Sequence, residues 1–174
     1  LGDIVNTDAA FISARLAALG INQYHQSVVG DNPERLAEVL AVALGRSDLV
    51  ILTGGLGPTY DDLTKQTVCE AFGRKLTFRA DIAEELRALY KTTFHVPMPE
   101  NNLRQAELPE GCAVFDNSVG TAPGCAFCEG GVHVLMLPGP PEECATMLRR
   151  HVEPYLRGLS DETILSHDIL CFGM

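Results

Sequence analysis

The sequence predicts an α/β domain with a mainly parallel sheet, and three observations carry that prediction. Helical and strand patterns alternate along the 174 residues. Asp48-Leu49-Val50-Ile51-Leu52-Thr53 is a short continuous apolar run, as expected of a parallel strand buried on both faces. It leads straight into a glycine-rich turn and a further helix. No internal repeat, low-complexity tract or linker breaks this order before about residue 158.

The elements follow in turn. Asn6-Thr7-Asp8 offers a cap for a first helix, with Phe11, Ile12, Leu16 and Leu19 on one face and Gly20 as its stop. Residues 21–29 read as a strand. Asp31-Asn32-Pro33 opens a second helix whose apolar face holds Leu36, Val39, Leu40 and Ala43. After the strand at 48–53 come a helix over about 62–72, closed by Gly73, and another over 81–92. Residues 93–112 are irregular, with a helical stretch near Asn101–Glu107. Strands at 113–116, 125–129 and 132–137 precede a helix over about 141–157. The first helix has no strand before it, so a strand is expected upstream of Leu1. Residues 1–158 form the domain, and 159–174 read as the truncated start of a following segment.

In open α/β sheets ligands bind beyond the carboxyl ends of the strands. Four loops fall there: Asp31, the Gly54–Thr59 turn, Gly120–Gly124, and Pro138-Gly139. Gly54, Gly55 and Gly57 permit a tight turn whose N–H groups, followed by a helix N-terminus, suit an anion such as phosphate. The loop is neither a Walker motif nor G-x-G-x-x-G. Asp61 and Asp62 would repel a bare phosphate, and they make sense with a divalent cation of the Mg, Mn or Co type between them. A plain strand-to-helix turn is the alternative, with one aspartate serving the helix dipole. Asp31 has two readings as well: helix cap, or functional carboxylate on the shared rim. The polar stretch Asn101–Ala106 is either a solvated surface or a cluster of amide donors reaching the site.

Composition removes several classes. The chain carries 13 basic and 23 acidic residues, a net charge of -10, and its longest basic run is Arg149-Arg150, which disfavours nucleic acid. No apolar run approaches the ~18 residues of a membrane span, and no signal peptide is present. The six cysteines then read as free thiols in a reducing cytoplasm. Cys125 and Cys128 form a C-x-x-C, but positions i and i+3 of a strand point to opposite faces and do not chelate one ion. The five histidines lack metal-ligand spacing, and G-x-S-x-G is absent.

Six motifs in order carry a resemblance. They are Leu1-Gly2-Asp3-Ile4-Val5-Asn6-Thr7, Val29-Gly30-Asp31-Asn32, Thr53-Gly54-Gly55-Leu56-Gly57-Pro58-Thr59 with Asp61-Asp62-Leu63-Thr64, Glu100-Asn101-Asn102, Gly120-Thr121-Ala122-Pro123-Gly124, and Leu137-Pro138-Gly139-Pro140-Pro141. Together they resemble the N-terminal domain of the CinA (competence/damage-inducible) family, within the wider molybdopterin-binding (MoaB/Mog-like) fold. The resemblance implies a three-layer α/β/α sandwich with one antiparallel strand, assembling as a homo-oligomer. It implies an adenosine pyrophosphate ligand, ADP-ribose or an adenylated pterin. Asp31 and Asp62 match the aspartates that serve adenylyl transfer in the wider fold, and Asp61 with Asp62 would hold the metal. Asn6, Gly54, Gly55, Gly57, Pro58, Thr59, Asn102, Gly120, Thr121, Gly124, Pro138 and Gly139 would line the ligand. The wider fold has Arg-Asp where this chain has Asp61-Asp62, which fits the CinA branch better. That branch implies metal-dependent hydrolysis of ADP-ribose to AMP and ribose 5-phosphate; molybdopterin binding or adenylyl transfer is the alternative.

Overall fold

A computed structural model describes residues 6–159. Residues 1–5 of the first motif, the strand expected before them and the segment from 160 onward lie outside the described residues. In chain order the elements are α1 (Thr7–Ala18), α2 (Pro33–Leu44), β1 (Leu49–Thr53), α3 (Thr64–Ala71), β2 (Leu76–Phe78) and α4 (Ala80–Leu89). They continue with a 3-10 helix (Glu100–Ala106), β3 (Glu107–Pro109), β4 (Ala113–Phe115), β5 (Gly124–Glu129), β6 (Val132–Leu137), α5 (Pro141–Met147) and α6 (Glu153–Arg157).

The main sheet has the order β1-β6-β5-β4. β1 and β6 are parallel, and β5 runs antiparallel to both β6 and β4. Three strands therefore share one direction and β5 alone opposes it, as the resemblance implied. Side-chain alternation sends Cys125, Phe127, Val134 and Met136 to a core with Leu40, Val68 and Ile82. Ala126, Leu135 and Leu137 face the opposite core with Ile12, Leu16, Met147 and Val152. Helices thus cover both faces. β2 and β3 pair as a separate two-stranded antiparallel sheet that the sequence patterning does not reveal, each strand being three residues long.

Two expectations are corrected. Residues 21–29 form no strand, and Tyr24 and Val28 are 80% and 81% exposed. A strand exists through pairing, and the segment meets no strand edge: a cavity separates it from β1. For the same reason β1 is only half-buried at 49–52 and exposed at Thr53. Among the described residues it pairs on one side only.

The capping residues follow the sequence closely. Asn6 accepts from the N–H of Ala9 at 3.0 Å, and Asn32 accepts from that of Arg35 at 2.9 Å. Asn32, not Asp31, caps α2. Cys125 is buried and Cys128 exposed, as expected for opposite faces. Burial pushes the Cys69 thiol up to about 11 and Cys144 up to about 12, so neither is a thiolate at neutral pH.

α1 is tied to α6 by a bidentate pair. Arg15 Nε and Nη2 donate to Glu153 Oε1 and Oε2 at 2.7 and 2.8 Å, and Glu153 is buried. Arg15→Met leaves that carboxylate only the longer 4.0 Å pair with Arg157, with an expected loss of about 2 kcal/mol. That loss lowers Tm by roughly 4–8 °C for a domain of this size. The hydrogen bond from Arg15 holds the Glu153 carboxyl below its ordinary value of 4.5. The pair's stabilisation is therefore present above pH 4.5 and lost as pH falls through the lower folded value. Melting curves of both proteins are expected to converge in acid; a constant gap would refute the assignment.

Candidate functional site

The register places the site. Thr53 pairs with Leu137, so β1 and β6 end together and deliver Gly54 and Pro138-Gly139 to one rim. Phe115 pairs with Gly124, so the 116–123 loop leaves from and returns to that same edge. The Gly54 N–H donates to the Leu137 carbonyl at 2.9 Å. A Cβ on Gly139 would lie 3.2 Å from the Gly54 Cα, so the two loops touch through backbone.

Gly54 and Gly55 have φ of +87° and +67°, which the turn out of β1 requires. Thr64, at the start of α3, locks this turn: its Oγ1 donates to the Gly54 carbonyl at 2.8 Å and its N–H to the Gly55 carbonyl at 3.2 Å. Farther on, the Thr59 N–H donates to Asp62 Oδ2 at 2.8 Å, and the single hydroxyl proton of Thr59 is shared between that oxygen, at 2.6 Å, and Asp61 Oδ1. Pro58 has no N–H. The N–H groups of Gly55, Leu56 and Gly57 meet no acceptor among the described residues. Leu56 is buried, so the N–H groups of Gly55 and Gly57, in the turn that leads to α3, are the loop's open donors.

The carboxylates divide by position. Asp61 and Asp62 converge on the Thr59 hydroxyl, Asp61 through a short contact. That hydroxyl holds the Asp61 carboxyl below its ordinary value. Asp31 is exposed and Asp61 is exposed; both line a cavity of about 650 Å3 beside the free edge of β1. Its lining combines apolar side chains (Ile12, Leu36, Val39, Val50) with polar ones (Asn6, Asp31, Asn32, Thr53, Asp61, Thr64). With Asn32 as the cap, Asp31 is left unused by α2. Among the described residues no three His, Cys, Asp or Glu side chains cluster as a protein-only metal cage.

The 3-10 helix packs against α3 and the Thr59 end of the glycine loop. Lys65, 6% exposed, donates from Nζ to the carbonyls of Arg104 at 2.8 Å and Gln105 at 3.4 Å. Burial pushes its ammonium down to about 8, while Cys125, Glu107 and Asp62 resist that fall and Arg104 adds to it. Arg104 Nη1 donates to the Thr59 carbonyl at 2.7 Å. Gln105 Nε2 donates to Thr121 Oγ1 at 3.1 Å, joining this helix to the 116–123 loop. Asn102 is buried and donates to the Tyr90 hydroxyl at 2.6 Å, so its amide braces the helix. In the third loop, Asn117 donates to the Ala122 carbonyl and to Glu143 on α5, and it accepts from the Gly120 N–H at 2.8 Å. Gly120 and Gly124 leave no room for a Cβ, against Glu143 and Met147 respectively.

The register brings three loops, those at Gly54–Thr59, 116–123 and Pro138-Gly139, to one rim. Asp31 follows no strand, contrary to expectation, and shares with Asn6, Gly54, Gly55 and Asp61 only the lining of the cavity. Gly57, Pro58, Thr59 and Asp62 lie farther along the loop, and Gly120, Thr121, Gly124, Pro138 and Gly139 line the strand ends. Sequence reasoning misses Lys65 and Glu143. Lys65 has a signal: a cation in the first turn of a helix opposes the dipole and calls for another partner. Glu143 has none, because a glutamate at the start of α5 is already explained by that dipole.

The three-layer sandwich with its glycine loop between β1 and α3 is shared with known domains of the molybdopterin-binding class. The family described as "Probable molybdopterin binding domain" matches residues 1–158. A solved structure of MoaB, titled a molybdopterin biosynthesis enzyme, from Thermus thermophilus shares the fold at TM-score 0.58 and 22% identity, over 91% of this chain and 84% of that one. The protein CinA from Thermoplasma acidophilum, titled as of unknown function, superposes with TM-score 0.79 at 35% identity. That match covers 88% of this chain and 90% of its own. Named competence-damage inducible proteins of Acetivibrio thermocellus and Clostridium acetobutylicum are 49% and 47% identical over all of this chain. The chain spans 42% of the length of each. The chain belongs to the CinA family, as its molybdopterin-binding-type (MoaB/Mog-like) domain. No helix among the described residues is long and apolar enough to cross a membrane.

Proposed function

We propose that the rim binds a phosphorylated small molecule of the molybdopterin class, a pterin phosphate or its adenylate. The observation that supports it is the glycine loop: the N–H groups of Gly55 and Gly57 have no acceptor among the described residues, and the loop borders a cavity with polar and apolar lining. The family description agrees with that chemistry. The ring would enter the cavity, and the phosphate would lie on Gly55–Gly57. Gly120, Thr121 and Gly139 would face the ligand's other side. Assembly as a homo-oligomer and a cytoplasmic location belong to the same proposal.

A second reading, hydrolysis of ADP-ribose, is favoured by one feature: Asp61 and Asp62 meet at the Thr59 hydroxyl. Two carboxylates and a hydroxyl are hard oxygen donors, and Mg2+-type ions are held by such a pair plus substrate phosphates. A Mg, Mn or Co ion there would neutralise the pyrophosphate. Water would add to one phosphorus as the bridging P–O bond breaks, with Asp31 taking the water's proton and AMP and ribose 5-phosphate leaving.

Calorimetric titration of the full-length protein with a phosphorylated pterin, and AMP release from ADP-ribose with and without Mg2+, separate the two. Saturable pterin binding without AMP release supports the first. Metal-dependent AMP release that falls at least ~100-fold in Asp62→Asn supports the second. The asparagine keeps an acceptor for the Thr59 N–H, so the loop is expected to hold. Neither binding nor release would reject both.

A further inference from the structure

We infer that Arg104 is the cation that binds the ligand's phosphate at the tip of the glycine loop, with the Tyr60 ring as the flat surface beside it. The inference rests on the phosphate-binding reading above. The chain carries a net charge of -10, and the loop's own ionisable acids, Asp61 and Asp62, are both negative. An anion held there by neutral N–H groups needs a positive charge from elsewhere.

Arg104 supplies one from 45 residues downstream. Its Nη1 donates to the Thr59 carbonyl at 2.7 Å, and its guanidinium carbon lies 5.4 Å from the centre of the Tyr60 ring. A guanidinium has five N–H donors, and only this one bond is made among the described residues. No carboxylate pairs with it there, although Asp61 and Asp62 lie two and three residues from Thr59. Arg15, Arg74 and Arg79 each hold a carboxylate at 2.5–2.7 Å, whereas Arg104 is anchored on a backbone carbonyl and keeps its charge unneutralised among the described residues. It is fixed from behind. Lys65 grips the carbonyls of residues 104 and 105, and Gln105 is bonded to Thr121. A preorganised guanidinium with an open fork suits bidentate contact with phosphate oxygens. Tyr60 is 93% exposed, so its ring is open to a ligand beside the guanidinium.

The test uses inorganic pyrophosphate as probe, titrated calorimetrically into the full-length protein at low and at near-physiological ionic strength. Wild type is expected to bind saturably and to weaken as salt rises. Arg104→Gln is expected to bind at least ~10-fold more weakly, a loss of about 1.4 kcal/mol. It should also lose most of the salt dependence, and Arg104→Lys should fall between. No saturable binding by wild type, or equal binding by Arg104→Gln, would overturn the inference. So would equal weakening in Lys and Gln variants with wild-type salt dependence, which would assign Arg104 to holding the loop. The two readings also fail separately. Arg104-dependent pyrophosphate binding without affinity for pterin phosphate or ADP-ribose keeps the anion site and removes the ligand class. Organic-ligand binding that Arg104→Gln leaves intact does the reverse.

Discussion

Gly55→Ala is expected to cost about 3 kcal/mol and to abolish ligand binding. Two effects add at this position. Residue 55 has φ +67°, where an L side chain is strained by about 1–2 kcal/mol. Its Cβ would also collide with the Thr64 hydroxyl and lie 3.2 Å from the Thr64 Cβ. Relieving that overlap displaces the residue that locks the turn, at a further ~1–3 kcal/mol. Gly73 and Gly30 provide the controls. Gly73 has φ +61° with nothing within 4 Å of a Cβ, so Gly73→Ala reports strain alone. Gly30→Ala meets neither strain nor contact. The expected order of Tm is Gly30→Ala close to wild type, Gly73→Ala a few degrees lower, and Gly55→Ala roughly 6–12 °C lower. Equal shifts at 55 and 73 would show that Thr64 yields freely and that the turn is not locked.

Legibility from sequence followed the range of the interactions. Continuous apolar strands, capped helices and the glycine loop announce themselves within a few residues, because their causes are local. Residues 21–29 mislead for the opposite reason. Ile21, Tyr24, Val28 and Val29 have strand propensity, yet a strand needs an edge to pair with, and that depends on what lies beside β1. The short β2–β3 pairing joins segments about 30 residues apart and has no periodicity to read. In the site, glycines and aspartates mark the rim, since turn chemistry restricts which residues stand there. The assignment of Asp31 or Asn32 to the cap is a matter of one residue, and only geometry resolves it. Arg104 reaches Thr59 across 45 positions, and no pattern in the chain links them. Asn102, read as a ligand donor from its motif, faces Tyr90 instead. Its motif marks a brace that holds the 3-10 helix in place.

Lys65 is expected to make stability rise with pH over a window where most folds weaken. Its ammonium, ordinarily near 10.5, is pushed down to about 8 by burial. Below pH 8 the folded and unfolded chains both carry that proton, and the cost of burying the charge is fully present. Between 8 and 10.5 the unfolded chain binds more of the proton, so stability increases with pH; above 10.5 neither state binds it. The interval corresponds to about 3 kcal/mol. Lys65→Met lacks the term, and it also removes the ammonium that lowers the Cys69 and Cys125 thiols. Denaturant unfolding at steps from pH 7 to 10 should therefore show the wild-type advantage growing with pH. Parallel curves would mean that the ammonium is solvated rather than buried. The lysine has a second consequence, because what it grips is the carbonyl end of the helix carrying Arg104. Lys65→Met frees that end and loosens the guanidinium, weakening pyrophosphate binding through Arg104 and not by contact. The two losses then do not add. Lys65→Met combined with Arg104→Gln is expected to bind no more weakly than Arg104→Gln alone. Full additivity would mean that Lys65 acts on the anion by another route.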